Sequence, residues 1–152
     1  MNRIKVLNED FKTKIFTYTH NAYKKNIGKI CVALKVEIDN LTEISSQFGK
    51  NLCMHIAALK PLSIDIENLD KSLIKKEKEI QLETVKASGK ADDIVDKIIE
   101  GKMKKFFSEV TFLNQNYILD EEKTVREAVT EFNSKNGTFN IIDYSLFVLG
   151  SE

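Results

Sequence analysis

Changes of hydrophobic period predict an α+β domain of about three antiparallel strands covered by helices, with an antiparallel helical hairpin inserted. From Ile27 to Glu37 apolar side chains alternate; from Asn40 they recur at three and four residues. A charged heptad pattern then occupies the middle of the chain, and alternation returns after Gly137.

In IGKICVALKVE, Ile30, Val32, Leu34 and Val36 alternate with Cys31, Ala33, Lys35 and Glu37, which predicts a strand with one strongly apolar face. KIFTYTH precedes it with β-branched and aromatic residues, and NAYKKN, with turn-prone Asn21 and Asn26, predicts a hairpin between the two. Leu41, Ile44, Phe48, Leu52, Ile56 and Leu59 then make a helical stripe. Asn40 and Glu43 have capping-box spacing, Gly49 is a candidate break, and Pro61 forces the helix to end before it.

Ile66, Leu69, Leu73, Ile80 and Ala87 fall on a heptad seam that Glu77 and Thr84 also occupy. Ser88-Gly89-Lys90 breaks it, and a second helix restarts at Asp92 and Asp93 with Ile94, Val95, Ile98, Ile99, Met103, Phe106 and Phe107 on its apolar side. The narrow stripe and charged flanks predict a projecting αα-hairpin. Thr124 and Glu127 repeat the capping-box spacing, Val125, Val129 and Phe132 form the stripe of a short helix, and Asn136-Gly137 ends it. Ile142, Tyr144, Leu146 and Val148 alternate as a closing strand. The expected division is a core of residues 1–62 and 104–152 with a hairpin insertion at 63–103.

Charge narrows the function classes. Basic and acidic residues number 23 each, so the molecule carries no global field toward phosphate backbones or anionic membranes. Only Arg3 and Arg126 supply the planar fork suited to phosphate or guanine, and nucleic acid is not an expected partner. No apolar run reaches the length of a membrane span, and the first twelve residues lack a secretory apolar core. Cys31 and Cys53 sit in apolar contexts without metal-ligand spacing, which predicts buried free thiols in a reducing compartment.

No catalytic grouping stands out. GxGxxG, the Walker loop, HExxH and CxxC are all missing. Of the two histidines, His55 reads as a helix-packing residue ahead of a functional one, and His20 as either an ordinary loop histidine or a partner contact. Asp92-Asp93 and Glu121-Glu122 read as helix N-terminal charges, not as a hydrolase pair. In EGKMKKFFSEV the phenylalanines belong to the apolar side and Lys102, Lys104 and Lys105 to the solvated one, whereas nucleic-acid stacking needs exposed rings. Tyr117, Ile118 and Leu119 interrupt the polar stretch NQNYILDEE. They read as an exposed partner-binding tip or as a turn buried against the domain.

Two long segments, NLCMHIAALKP and EGKMKKFFSEVTFLNQNYILDEEKTV, resemble the hallmark segments of the C-terminal part of bacterial elongation factor Ts. Tyr18-Thr19-His20 followed by IGKICVALKVE, then SGKADDIVDKIIEGKM and a closing strand after a short helix, extend the likeness to nearly the whole chain. The resemblance implies a cytoplasmic exchange factor for elongation factor Tu that catalyses no covalent step and uses no cofactor or metal. It places His20, Tyr117, Ile118 and Leu119 on the Tu-facing side. It assigns the hairpin, with Leu69, Leu73, Ile80, Ile94 and Ile98, to the family's dimerisation or coiled-coil region, so self-association is a further option. Asn116 stands where the family usually has proline, and NAYKKN is longer than the usual turn. The family's Thr-Asp-Phe-Val element, which wedges near Tu's magnesium, does not occur in these residues, implying a Tu-binding and dimerisation portion with little exchange activity alone. The alternative is a structural oligomerisation module without GTPase affinity.

Overall fold

The computed structural model describes residues 5–24, 27–87 and 92–150. It is α+β, as the periods predict. Strands β1 (Thr13–Lys24), β2 (Ile27–Ile38) and β5 (Phe139–Val148) make an antiparallel sheet in the order β1-β2-β5. Helices α1 (Glu43–Leu59), α2 (Lys71–Ala87), α3 (Asp92–Val110) and α4 (Val125–Asn136) accompany a second, two-stranded sheet of β3 (Asn116–Tyr117) and β4 (Asp120–Thr124). Two compact units result, Met1–Lys60 with Tyr117–Glu152, and Pro61–Asn116.

In the first unit β2 is hydrogen-bonded on both edges, and its alternation buries Val32, Leu34, Val36 and Ile38 on one face. Register places Phe16 and Tyr144 on either side of Leu34. Helix α1 covers this face. It runs unbroken through Gly49, where a Cβ would lie 2.4 Å from the Phe16 ring. Gly49 is therefore a site of close helix-to-sheet approach and not the expected break. The cap is also shifted: the reciprocal bonds join Thr42 and Ser45, not Asn40 and Glu43, and Lys60 ends the helix in the left-handed region ahead of Pro61.

The first hairpin is longer than NAYKKN suggested. Strand pairing continues to Lys24, and Asn21, at φ 49°, sits just before the register shift between Ala22 and Lys24. Its left-handed tolerance serves the strand's irregularity instead of the turn; Lys25 and Asn26 lie outside the described residues. In β5 the pairing skips from Asp143 to Ile141 at Lys35/Val36, so Ile142 bulges outward and is exposed, while Phe139 is fully buried. The closing strand thus begins at Phe139, and the expected inward Ile142 is displaced by one residue. Phe139 joins Phe16, Phe48 and Phe132 in an aromatic cluster, with Phe48 and Phe132 stacked at 4.4 Å. The Thr124–Glu127 capping box forms as predicted. Glu121 and Glu122 lie in β4 instead of at a helix start.

In the second unit, Leu62 N–H donates to Val110 O, and Phe112 and Leu113 N–H donate to Ser63 and Ile64 carbonyls, closing the base on fully buried Phe112. Helices α2 and α3 form the hairpin; the Ser88-Gly89-Lys90 breaker and the side chains of Asp92 and Asp93 lie outside the described residues. Its buried seam is Val85, Val95, Ile99 and Met103, flanked by Ile74, Leu82, Ile98, Phe106 and Phe107. The heptad register predicted from Leu73, Ile80 and Ala87 is rotated. Ile80 is 46% exposed, and Leu69 is buried in the segment before α2. Glu77 and Thr84 on the predicted register explain the shift, since Leu82 and Val85 bury more apolar surface.

Candidate partner-binding site

Helix α1 carries Phe48, Asn51 and His55 at spacings of three and four residues, hence on one face. All three engage the turn between β3 and β4. Phe48 meets the Tyr117 ring edge-on at 6.3 Å, and the His55 ring lies 6.0 Å from it at 33°. Burial raises the Tyr117 phenol above its ordinary value, while a hydrogen bond with the Asn51 side chain pulls it down. Ile118 N–H donates to His55 Nδ1 at 3.3 Å. The turn is therefore held by ring packing at Tyr117 and by its backbone at Ile118.

The consequence is graded exposure across three consecutive apolar residues. Tyr117 is buried, Ile118 is half-buried, and Leu119 is 55% exposed. Both readings of NQNYILDEE hold in part: Tyr117 is packed into the domain, and Leu119 is presented to solvent. The sequence does not announce β3, whose two residues carry no period, or β4, whose DEEKT lacks apolar alternation, although Asn116 and Asp120 are turn-prone residues flanking the segment.

His20 is exposed on β1 opposite Ile30, on the same sheet face as Phe16. Its Nδ1 shares a hydrogen bond with Tyr18 Oη at 3.1 Å, and the two rings are 6.1 Å apart. Among the described residues no hydrogen bond or ring contact joins His20 to residues 117–119. Of the hairpin candidates, Leu73 and Ile98 are half-buried, and Ile80 and Ile94 stand about half exposed on the helix exteriors.

Beside the turn, Phe48, Tyr117, Ala128 and Phe132 floor an open depression of about 230 Å³ rimmed by Asp120, Lys123, Glu131 and Lys135. The rim charges satisfy one another. Lys123 Nζ reaches Asp120 at 2.9 Å and Glu131 at 2.6 Å, and Lys135 pairs with Glu131 at 2.5 Å. Hydrogen bonds from both lysines hold the Glu131 carboxyl down at about 2. Cys31 and Cys53 are free, but only Cys53 is buried, and burial pushes its thiol up to about 12. Among the described residues no group of three or more His, Cys, Asp or Glu side chains could hold a metal ion. No described helix is long and apolar enough to cross a membrane.

Comparison with known proteins follows the same segments. The family model for elongation factor Ts matches residues 1–151. An elongation factor Ts from Paracoccus denitrificans is 42% identical over 119 residues, covering 77% of this chain and 39% of its own length. That of Bartonella henselae is 35% identical over 137 residues, 90% of this chain and 45% of its own. A mitochondrial elongation factor Ts from Plasmodium chabaudi chabaudi is 36% identical over 145 residues, 89% of this chain and 38% of its own. The chain thus spans less than half the length of these curated relatives. With the match running through both packed units, the chain belongs to the elongation factor Ts family.

Proposed function

We propose that this chain is the Tu-binding portion of a cytoplasmic guanine-nucleotide exchange factor acting in translation elongation, and that it performs no covalent chemistry. The carrying observation is the turn at 117–119, where a buried Tyr117 anchors an exposed Leu119 and a half-buried Ile118. An apolar side chain held out on a clamped turn suits a preformed contact, because little ordering entropy remains to be lost on binding. Ile118 and Leu119 make the contact, His20 contributes at its edge, and Tyr117 supports them from beneath.

Exchange requires better affinity for the nucleotide-loosened state of Tu than for the closed one. A contact remote from the nucleotide supplies little of that difference, so this portion works as a tether that raises the local concentration of whatever acts at the nucleotide site. The division into a core, 1–62 and 104–152, and an insertion, 63–103, assigns self-association to the hairpin. Ile80 and Ile94, about half exposed, are the side chains that such a contact would cover, with Leu69, Leu73 and Ile98 supporting them.

The test is Tu affinity of the Ile118→Ala/Leu119→Ala double variant. Each anchor contributes about 1 to 2 kcal/mol as a hot spot, so titration calorimetry should show affinity reduced at least tenfold with melting temperature nearly unchanged. Unchanged affinity, or a large stability loss, refutes the assignment.

A further inference from the structure

The helix-packing reading of His55 leaves its chemistry unexplained. The residue is fully buried on α1, a position where leucine or methionine would pack without the cost of withdrawing polar nitrogens from water. What the imidazole supplies is an acceptor. Ile118 N–H points at Nδ1 across 63 positions of sequence. A ring that accepts at Nδ1 carries its proton on Nε2, so the bond also selects the tautomer.

Local structure makes this acceptor important. Strand β3 is two residues long, so its ladder to β4 is short and an added backbone anchor counts. Phe48 and Asn51 engage the Tyr117 side chain, and neither of those contacts fixes the peptide plane that follows it. The Ile118 amide does: its peptide plane runs from Tyr117 Cα to Ile118 Cα, so one backbone hydrogen bond to His55 fixes how the chain enters the turn that carries Ile118 and Leu119. The helix behind His55 is stiff, with its capping box at Thr42 and Ser45 and its left-handed terminus at Lys60.

We propose that His55 is a positioning residue for partner binding: its Nδ1 locks the Ile118 amide and thereby aims Leu119 at the partner surface. The proposal rests on the reading of Ile118 and Leu119 as the Tu contact. It separates two roles of one helix face, with Phe48 and Asn51 stabilising the turn and His55 orienting it.

The experiment compares His55→Leu, which keeps apolar bulk and removes the acceptor, with His55→Asn, whose Oδ1 can take the place of Nδ1. Leu119→Ala serves as the control for the parent reading. In the unaltered protein, nitrogen NMR should find the Nε2–H tautomer and a slowly exchanging Ile118 amide. In His55→Leu, Ile118 protection should fall and Tu affinity should drop about tenfold, the scale of one lost hydrogen bond plus its orientation. His55→Asn should restore both to within about twofold. An Nδ1–H tautomer in the unaltered protein overturns the proposal without any variant. Equal losses in the Leu and Asn variants, or none in His55→Leu while Leu119→Ala weakens binding, overturn it as well. If Leu119→Ala leaves affinity unchanged, the parent reading fails and the proposal fails with it.

Discussion

In the sheet-bearing unit, β2 buries four alternate side chains under one helix and an aromatic cluster. In the hairpin unit, two helices share a seam of Val85, Val95, Ile99 and Met103 and leave Ile80 and Ile94 about half exposed. In the first arrangement Leu34 and Val36 have no exposed surface, and a change of one methyl-sized volume beside them meets close packing. The second is a two-layer contact with solvent along both flanks, where neighbours can close over a gap. Two regions of one short chain therefore differ in tolerance for a geometric reason that composition does not reveal.

The largest effect is expected at Gly49. A Cβ there would sit 2.4 to 2.7 Å from atoms of the Phe16 ring, which is itself stacked on Phe139 at 5.9 Å. Gly49→Val should cost about 3 kcal/mol or more, at the upper end of overpacking, seen as a lowered denaturant midpoint. A loss under about 1 kcal/mol would mean that the ring can move and that the sheet-bearing core is no stiffer than the hairpin.

Ile99→Ala addresses the other side of the comparison. It should cost about 2 kcal/mol, the low end for such truncations, because the seam can collapse into the space. Native-state hydrogen exchange should show lost protection in α2 and α3 with β2 and β5 little changed. An equal loss in the sheet would show that the two units open together.

The smallest effect concerns the ion cluster on α4. Glu131 titrates at about 2 in the folded chain against an ordinary 4.5, owing to hydrogen bonds from Lys123 and Lys135. A depressed carboxyl stabilises the fold above its unfolded value, and that contribution is lost as pH falls from about 4.5 through about 2. Compared with Glu131→Gln, the native protein should melt slightly higher near neutrality, and the gap should close over that interval. The pairs are solvent-exposed, so the gap is small. A gap independent of pH would assign it to packing of the side chain and not to its charge.

Local signals were the legible part of the fold. Alternation along β2, the Thr124–Glu127 cap and the helix end before Pro61 are each written within a few residues, and the backbone answers to them directly. Competing local signals were not resolvable. Asn40 with Glu43 and Thr42 with Ser45 both offer a cap, and the reciprocal bonds form at Thr42 and Ser45. The hairpin register likewise turns on which face finds a partner, which moved the seam from Ile80 to Leu82 and Val85.

For the candidate site, the sequence by itself determined that Tyr117, Ile118 and Leu119 are apolar residues in a polar stretch, and that His55 lies near an apolar helix stripe. Only the tertiary structure decided that Tyr117 is buried while Leu119 is exposed, and that His55 meets the Ile118 amide. Side-chain type and period are properties of neighbours along the chain. Exposure and hydrogen-bond partnership across 63 residues depend on the closing of α1 against the β3–β4 turn, a long-range contact whose selection requires the whole core to pack at once.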